Sequence, residues 1–365
     1  MEEKSWKSFL RIAICSCLLI FFLSSLFWWK PPWQTVSRVW SLEQWNSGNM
    51  QIILHAQKKN AQMQQIANTA YKQIDRLDLL INEHNPKSEA GQLRLFMEKG
   101  EKDARFALSA ELFSLVQYAL LVSRHSKGAF DITVAPYLNL WKKCTQEDRM
   151  PTKEEIQSIQ KVTGSRHIKL DIEKKELSIT SPGLSLSLGA FVKGYAVDRI
   201  ASFLQDQKIP VGMVNMSGNI YCYGNKKWLI GIQDPRITEP DAPEEIIGTI
   251  ALQNKGIATS GHYRRYYEIK GERFSHILDA RTGYPVPMMG IVSVSVIAST
   301  AMEADAYSTV FCILNPQESL SLAQKLHLEA LIIVQDKDKY LLYETPGFAQ
   351  YWEEKPSGIF QSAGN

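Results

Sequence analysis

The sequence constrains the fold most strongly between residues 291 and 314, where a strand-like run is followed by a helical one. From Ile291 to Ala298 the chain alternates β-branched and small polar residues, as a half-buried strand does. Ser299 and Thr300 follow as candidate caps, and the segment Thr300–Leu314 is predicted to be the helix that they begin. The pattern therefore places the first turns of a helix directly after the end of a strand.

Three oxygen-bearing side chains share one face of this predicted helix. Asp305, Ser308 and Thr309 are spaced i, i+3 and i+4, so they leave the helix within about 5–6 Å of one another. Hard oxygen ligands of this kind suit Mg²⁺. The alternative is structural: an aspartate near a helix N-terminus favours the helix dipole, and hydroxyls hydrogen-bond back to the chain.

Composition excludes several classes of function. A formal net charge of +3 over 365 residues is small, and the basic residues do not cluster with aromatic ones, so nothing favours nucleic acid. The five cysteines are scattered, with no CxxC pair and no histidines at zinc spacing. Neither a disulfide framework nor a zinc site is indicated.

The N-terminal residues predict a membrane anchor. Ile12–Trp29 is an uncharged apolar run that, as a helix, would span roughly 27 Å, close to the thickness of a bilayer core. Lys4, Lys7 and Arg11 precede it, which predicts a cytoplasmic N-terminus and a body outside the cytoplasm. A cleaved signal peptide is the alternative, although no small-x-small site closes the run.

The predicted organisation has four parts. They are a cytoplasmic segment at 1–11, a transmembrane helix at 12–29, a connector at 30–49 and a catalytic body at 50–365. Within the body, strands in runs joined by hairpins and interrupted by long helices favour an α+β fold with largely antiparallel sheets.

A second polar corner is predicted near residue 189. Leucines alternate with serines over residues 184–188, which predicts a strand with one hydroxyl-bearing face ending at Ser187. Gly189 and Ala190 then open a predicted helix whose free amides suit a pyrophosphate, and Lys193 adds a cation. The alternative for Lys193 is a surface lysine on an amphipathic helix.

A single histidine, His276, stands between a predicted strand and a predicted turn at 279–285. The unperturbed pKa of histidine lies in the physiological range, which suits proton transfer beside a phosphate. A structural hydrogen-bond donor is the other interpretation.

Four segments of this chain resemble those of the ApbE family, the FAD:protein FMN transferases. They are Gly128–Thr133 (GAFDIT), Ser187–Asp198 (SLGAFVKGYAVD), Ser275–Pro285 (SHILDARTGYP) and Thr300–Leu314 (TAMEADAYSTVFCIL). They occur in the order and at the approximate spacing found in that family, and the resemblance extends from about Met50 to about Tyr343.

The resemblance implies specific roles for residues of this chain. FAD contacts are expected from Ala129, Phe130, Asp131, Ser187, Lys193 and Leu278. Ligands to Mg²⁺ are expected from the carbonyl of Ala190 and the side chains of Asp305, Ser308 and Thr309. His276 or Asp305 is expected to help deprotonate the accepting hydroxyl. Family members commonly have Asp at the position of Ser187 and an aromatic residue at that of His84, so two expected contacts are altered here.

The family fold implied is a two-lobed α+β body of antiparallel sheets and packed helices with FAD in the cleft, here preceded by one transmembrane helix. The implied reaction is a Mg²⁺-dependent transfer of FMN from FAD to a Thr or Ser of a partner protein, through a phosphoester, with release of AMP. Hydrolysis of FAD to FMN and AMP is one alternative, and a membrane-anchored FAD-binding protein without turnover is another. The expected location is the bacterial inner membrane with the body in the periplasm, and the expected acceptor is a protein such as a subunit of a membrane redox complex.

Overall fold

The computed structural model describes residues 33–37, 50–56, 60–99, 102–236, 245–262 and 265–363, the first of these segments as backbone only. The predicted cytoplasmic segment and transmembrane helix lie outside these residues. Among the helices that are described, none combines the length and the apolar character needed to cross a bilayer.

Helices and strands alternate irregularly along the described chain. The α-helices are α1 (Asn60–Ile81), α2 (Glu89–Lys99), α3 (Ala110–His125), α4 (Ala135–Gln146), α5 (Lys153–Val162), α6 (Val192–Asp206), α7 (Ala301–Ile313) and α8 (Pro316–Lys325). The strands are β1 (Trp33–Ser37), β2 (Met50–His55), β3 (Arg105–Ala107), β4 (Ile168–Asp171), β5 (Glu176–Ile179), β6 (Val211–Met216), β7 (Asn219–Tyr223), β8 (Trp228–Gln233), β9 (Ile246–Leu252), β10 (Lys255–Gly261), β11 (Tyr266–Ile269), β12 (Glu272–Ser275), β13 (Leu278–Asp279), β14 (Tyr284–Pro285), β15 (Gly290–Ala298), β16 (Glu329–Asp336), β17 (Lys339–Glu344), β18 (Trp352–Glu354) and β19 (Phe360–Ser362).

The largest sheet has nine strands in the order β1-β2-β6-β7-β10-β15-β16-β17-β19. Its pairs are antiparallel except for β17 with β19. Two three-stranded sheets, β18-β9-β8 and β3-β5-β4, and two hairpins complete the described strands. The prediction of an α+β fold with largely antiparallel sheets is therefore confirmed. Strand β1 lies inside the segment predicted as a connector, and it pairs with β2.

Both faces of the nine-stranded sheet are covered, because alternate residues of a strand point to opposite faces. In β16, Ala330 and Ile332 pack in a core cluster with residues of α1, α2, α3, α6 and α7. The intervening Leu331 and Ile333 pack in a second cluster with residues of β8 and β9. The sheet thus has helices on one face and a small sheet on the other.

The segment at 184–188 is not a strand, so that prediction was wrong. It is extended but pairs with no strand among the described residues. The N–H of Ser187 donates to the carbonyl of Ile132 at 2.7 Å, and the N–H of Leu188 donates to the carboxylate of Glu83 at 3.3 Å. The alternating leucines are buried as predicted, but loops rather than a neighbouring strand satisfy these amides. The helix that follows begins at Val192, two residues after Ala190.

Helices α6 and α7 pack closely at Gly194. A Cβ atom there would lie 2.3 Å from the carbonyl oxygen of Ala301. This separation is far below a van der Waals contact, so only glycine permits the present approach of the two helices.

We expect Gly194→Ala to lower the free energy of unfolding by about 1–3 kcal/mol, because overpacking at a rigid backbone outweighs the better helix propensity of alanine. Gly189→Ala is the matched control, since a Cβ atom at Gly189 would meet nothing closer than the hydroxyl of Ser187 at 3.8 Å. Urea unfolding of both variants provides the measurement. Equal stability of the two variants would contradict the close contact.

Candidate active site

The start of α7 is capped by two side chains. The hydroxyl of Thr300 accepts a hydrogen bond from the N–H of Glu303 at 3.1 Å, as its cap position predicts. The carboxylate of Asp198, on α6, accepts from the N–H groups of Ala301 and Met302 at 2.8 Å each. Burial raises the pKa of Asp198 to about 6, against the opposing effect of these two N–H donors. Asp198 therefore joins the two helices at the corner predicted from the sequence.

Asp305 lies in the second turn of α7 and is buried. Its Oδ2 accepts a hydrogen bond from the N–H of Gly194 at 2.9 Å, and its Oδ1 accepts none from the described residues. Burial raises the pKa of Asp305, while the charge of Lys193 and the N–H of Gly194 act in the opposite direction. The acidic residue of the first turn is Glu303, so the helix dipole does not explain Asp305.

The two hydroxyls predicted to share a face with Asp305 do so. Ser308 donates to the backbone carbonyl of Asp305 at 2.9 Å, and Thr309 does so at 3.4 Å. Both also contact the hydroxyl of Ser260 on β10, at 2.8 Å from Ser308 and 3.4 Å from Thr309. The back-bonding that the structural alternative predicted is therefore present, together with a third hydroxyl that the sequence analysis missed.

The carbonyl group of Ala190 receives no hydrogen bond from the described residues. In helical geometry its donor would be the N–H four residues later, that of Gly194. That N–H donates to Asp305 instead. The next carbonyl, that of Phe191, does accept from the N–H of Tyr195, at 3.0 Å. The bond to Asp305 thus leaves one carbonyl oxygen at the start of α6 available to a ligand.

Lys193 and His276 contribute to the electrostatics of the same region. The ammonium group of Lys193 donates to the carbonyl of Gly189 at 3.4 Å. His276 is half-buried, and its Nδ1 lies 3.0 Å from the carbonyl oxygen of Arg265. The pKa of His276 is lowered to about 4, mainly by burial; the hydrogen bond with the Arg265 carbonyl opposes this shift, and the charges of Arg265, Lys193 and His262 add to it. Because a carbonyl only accepts, Nδ1 carries the proton and Nε2 of the neutral ring has a free lone pair.

Hydrogen bonds join the four segments that were singled out in the sequence. The N–H of Ala280 donates to the carbonyl of Ala129 at 3.1 Å, which ties the third segment to the first. The N–H of Ser187 donates to Ile132, which ties the second segment to the first. The bonds between α6 and α7 tie the second segment to the fourth. Segments far apart in the chain therefore form one continuous region.

Three residues predicted to contact the cofactor have structural contacts in this fold. Phe130 is buried, with its ring 6.4 Å from that of Phe191. Leu278 is buried in the core cluster that includes Trp141. The side chain of Asp131 accepts hydrogen bonds at both oxygens, from the N–H and hydroxyl of Thr133, the N–H of Ser165 and the hydroxyl of Ser123. Their contacts to a cofactor stay predictions, and Asp131 would have to give up an existing bond to make one.

Ser187 has an acidic partner that the sequence analysis did not identify. Its hydroxyl donates to Oε1 of Glu83 at 3.2 Å. Glu83 lies 104 residues earlier, just after α1. No local pattern connects the two residues, so only the tertiary structure reveals the pair.

Comparison with known proteins identifies the family. Residues 48–332 match the ApbE family. A protein of Haemophilus influenzae named FAD:protein FMN transferase is 30% identical over 302 residues, covering 80% of this chain and 86% of the relative. One of Vibrio cholerae with the same name is 31% identical over 290 residues, covering 78% and 84%.

Solved structures show the same fold. The flavin transferase ApbE from Vibrio cholerae superimposes with a TM-score of 0.74 at 26% identity, covering 88% of this chain and 100% of that one. The ApbE protein from Thermotoga maritima superimposes with a TM-score of 0.75, also at 26% identity and with the same coverage. The fold and the joined segments define an α+β protein with one polar site between α6 and α7. The chain belongs to the ApbE family.

Proposed function

We propose that this protein is a Mg²⁺-dependent FAD:protein FMN transferase. The observation that carries the proposal is the connected region in which Asp305, Ala190 and Lys193 meet at the contact of α6 with α7. The names of the relatives, which are transferases acting on FAD and protein, support the same reaction. The products would be a partner protein bearing FMN on a Thr or Ser through a phosphoester, and AMP.

The residues present fit a magnesium ion. Oδ1 of Asp305 and the carbonyl of Ala190 both lack protein hydrogen-bond donors among the described residues, and the hydroxyls of Ser308 and Thr309 lie on the same helix face. All four groups are hard oxygen donors of the type that Mg²⁺ binds. When bound, the ion would supply a positive charge that stabilises the negative charge developing on the phosphate.

The chain's own side chains can perform the remaining chemistry. The hydroxyl of the acceptor attacks the phosphorus of the FMN half of FAD, and the bond from that phosphorus to the bridging oxygen breaks, so AMP leaves. Lys193 offers its charge to the pyrophosphate. Nε2 of the neutral His276 can accept the proton of the attacking hydroxyl, because Nδ1 is held by the carbonyl of Arg265.

Two other functions would use the same residues. Water in place of the acceptor hydroxyl would give hydrolysis of FAD to FMN and AMP. A protein without turnover would bind FAD and release nothing. Incubation of the body at 50–365 with FAD and Mg²⁺, with and without a candidate acceptor peptide, separates the three. The transferase should release AMP in step with a gain of FMN mass on the acceptor, whereas AMP without acceptor mass, or no AMP, contradicts the proposal.

Asp305→Asn tests the metal site. Asparagine keeps an oxygen that can accept from Gly194 but removes the charge, so we expect AMP release to fall at least about 100-fold while the melting temperature changes little. Thr309→Val keeps the shape and should raise the Mg²⁺ concentration needed for half-maximal rate. The measurement is AMP release against Mg²⁺ concentration. If the rate of AMP release depends on Mg²⁺ concentration in both variants as it does in the wild type, α7 does not supply the metal ligands.

The pH dependence of AMP release tests His276. Its folded-state pKa of about 4 keeps the ring neutral at higher pH, so the base remains competent between about pH 5 and 6.5, where an ordinary histidine becomes protonated. His276→Gln should lose most activity at every pH. His167→Gln is the control, since His167 also has a pKa lowered by burial but contacts Thr180 instead. If AMP release by the wild type falls on acidification with a midpoint near pH 6.5, the assignment of His276 as the base is contradicted.

We further propose that the segment at 12–29 anchors the body on the periplasmic side of the bacterial inner membrane, where the acceptor would be a membrane redox subunit. The uncharged apolar run and the basic residues before it support this placement. Intact mass of the protein extracted from membranes should equal that of the full chain. A mature chain beginning after residue 20 would show cleavage instead.

A further inference from the structure

A buried carboxylate with no role in the steps above lies beside Gly189. Glu83 is 6% exposed. Its Oε1 accepts from the hydroxyl of Ser187 at 3.2 Å and from the N–H of Leu188 at 3.3 Å. Two neutral donors therefore hold one oxygen of this group in a defined position.

The other oxygen is unused. Oε2 of Glu83 receives no hydrogen bond from the described residues, and no lysine or arginine among them forms an ion pair with this side chain. The exposed ring of His84 has its Nε2 3.9 Å from Oε1, and the guanidinium of Arg94 donates at 2.7 Å to the backbone carbonyl of Glu83 and not to its side chain. A carboxylate that is largely buried without an ion pair or a full set of donors is costly, so Oε2 is available to a donor on a ligand.

The position of Glu83 places it at the wall of the proposed FAD site. A Cβ atom at Gly189 would lie 4.0 Å from Oε1 of Glu83 and 3.8 Å from the hydroxyl of Ser187. Gly189 itself is exposed, and Ala190 with its free carbonyl follows directly. The carboxylate therefore lies beside the loop that leads into the proposed metal-binding end of α6.

The chemistry of the carboxylate selects which part of FAD it can face. An anionic acceptor repels the pyrophosphate and attracts an uncharged N–H or O–H donor. FAD has such donors in both halves: the imide N–H and ribityl hydroxyls of the FMN half, and the amino group and ribose hydroxyls of the adenosine half.

We propose that Glu83 is a specificity residue that accepts a hydrogen bond from an uncharged N–H or O–H donor of FAD. This inference rests on the proposed function. It also gives Ser187 a role, as the donor that orients the carboxylate.

Glu83→Gln tests the proposal in the full chain. The glutamine oxygen can still accept from Ser187 and Leu188, but an NH₂ group replaces Oε2 and meets the ligand's donor. We expect the Kd for FAD, from fluorescence titration, to rise about tenfold or more. Adding Ser187→Asp to this variant returns a carboxylate to the site and should recover most of the loss.

Glu98→Gln is the matched control. Glu98 accepts from the hydroxyl of Ser185 at 2.8 Å, two residues before Ser187 in the same extended segment, and has no atom within 4 Å of a Cβ built at Gly189. It also pairs with Arg94 at 2.7 Å, and the glutamine oxygen remains as an acceptor for both groups. This variant should bind FAD as the wild type does. A wild-type Kd for Glu83→Gln, or an equal loss in the two variants, would overturn the role of Glu83.

Titrations with FMN and with ADP identify the half of FAD that supplies the donor. Weaker binding of FMN alone assigns the flavin half, and weaker binding of ADP alone assigns the adenosine half. An equal loss for both, with a lower melting temperature, would show a purely structural carboxylate. Because these are binding measurements, they are independent of AMP release: failure of the wild type to bind FAD at all would refute the proposed function, not the role of Glu83 alone.

Discussion

The hydrogen bond from the N–H of Gly194 to the carboxylate of Asp305 is the interaction on which the site depends. It requires the backbones of α6 and α7 to approach so closely that residue 194 has no space for a side chain. It holds one carboxylate oxygen and so orients the other. It also removes the helical donor of the Ala190 carbonyl, so a single bond both positions one proposed metal ligand and frees a second.

The parts of the fold that were predictable are those set by neighbours in the chain. The strand before residue 299 and the helix after it follow from alternation and capping, and Thr300 caps α7 as expected. The face shared by Asp305, Ser308 and Thr309 follows from helical spacing alone. The alternation at 184–188 predicted burial correctly but secondary structure wrongly, because a strand also needs a neighbour to pair with, and that neighbour is absent from the local pattern.

The unpredicted parts of the site come from tertiary contacts. Ser260, Asp198 and Glu83 carry no motif that marks them, and each acquires its contact only when distant elements pack. Position 187 shows this most clearly. The family resemblance implies the loss of a carboxylate there, whereas in the structure Glu83, just after α1, lies beside it. Conversely, Asp131 lies in a recognisable segment, yet its oxygens already bind the loops around it.

The bonds that form the site close very long loops. Gly194 and Asp305 are 111 residues apart, and Leu188 and Glu83 are 105 apart. Contacts of this range have a larger loop-closure entropy cost than local ones, so we expect them to form after the local hairpins and helices. A ligand that needs all of them binds the native state and not its partly folded precursors, so binding shifts the folding equilibrium by mass action. A chain that is still incomplete, lacking α7, therefore has no site with which to capture the nucleotide prematurely.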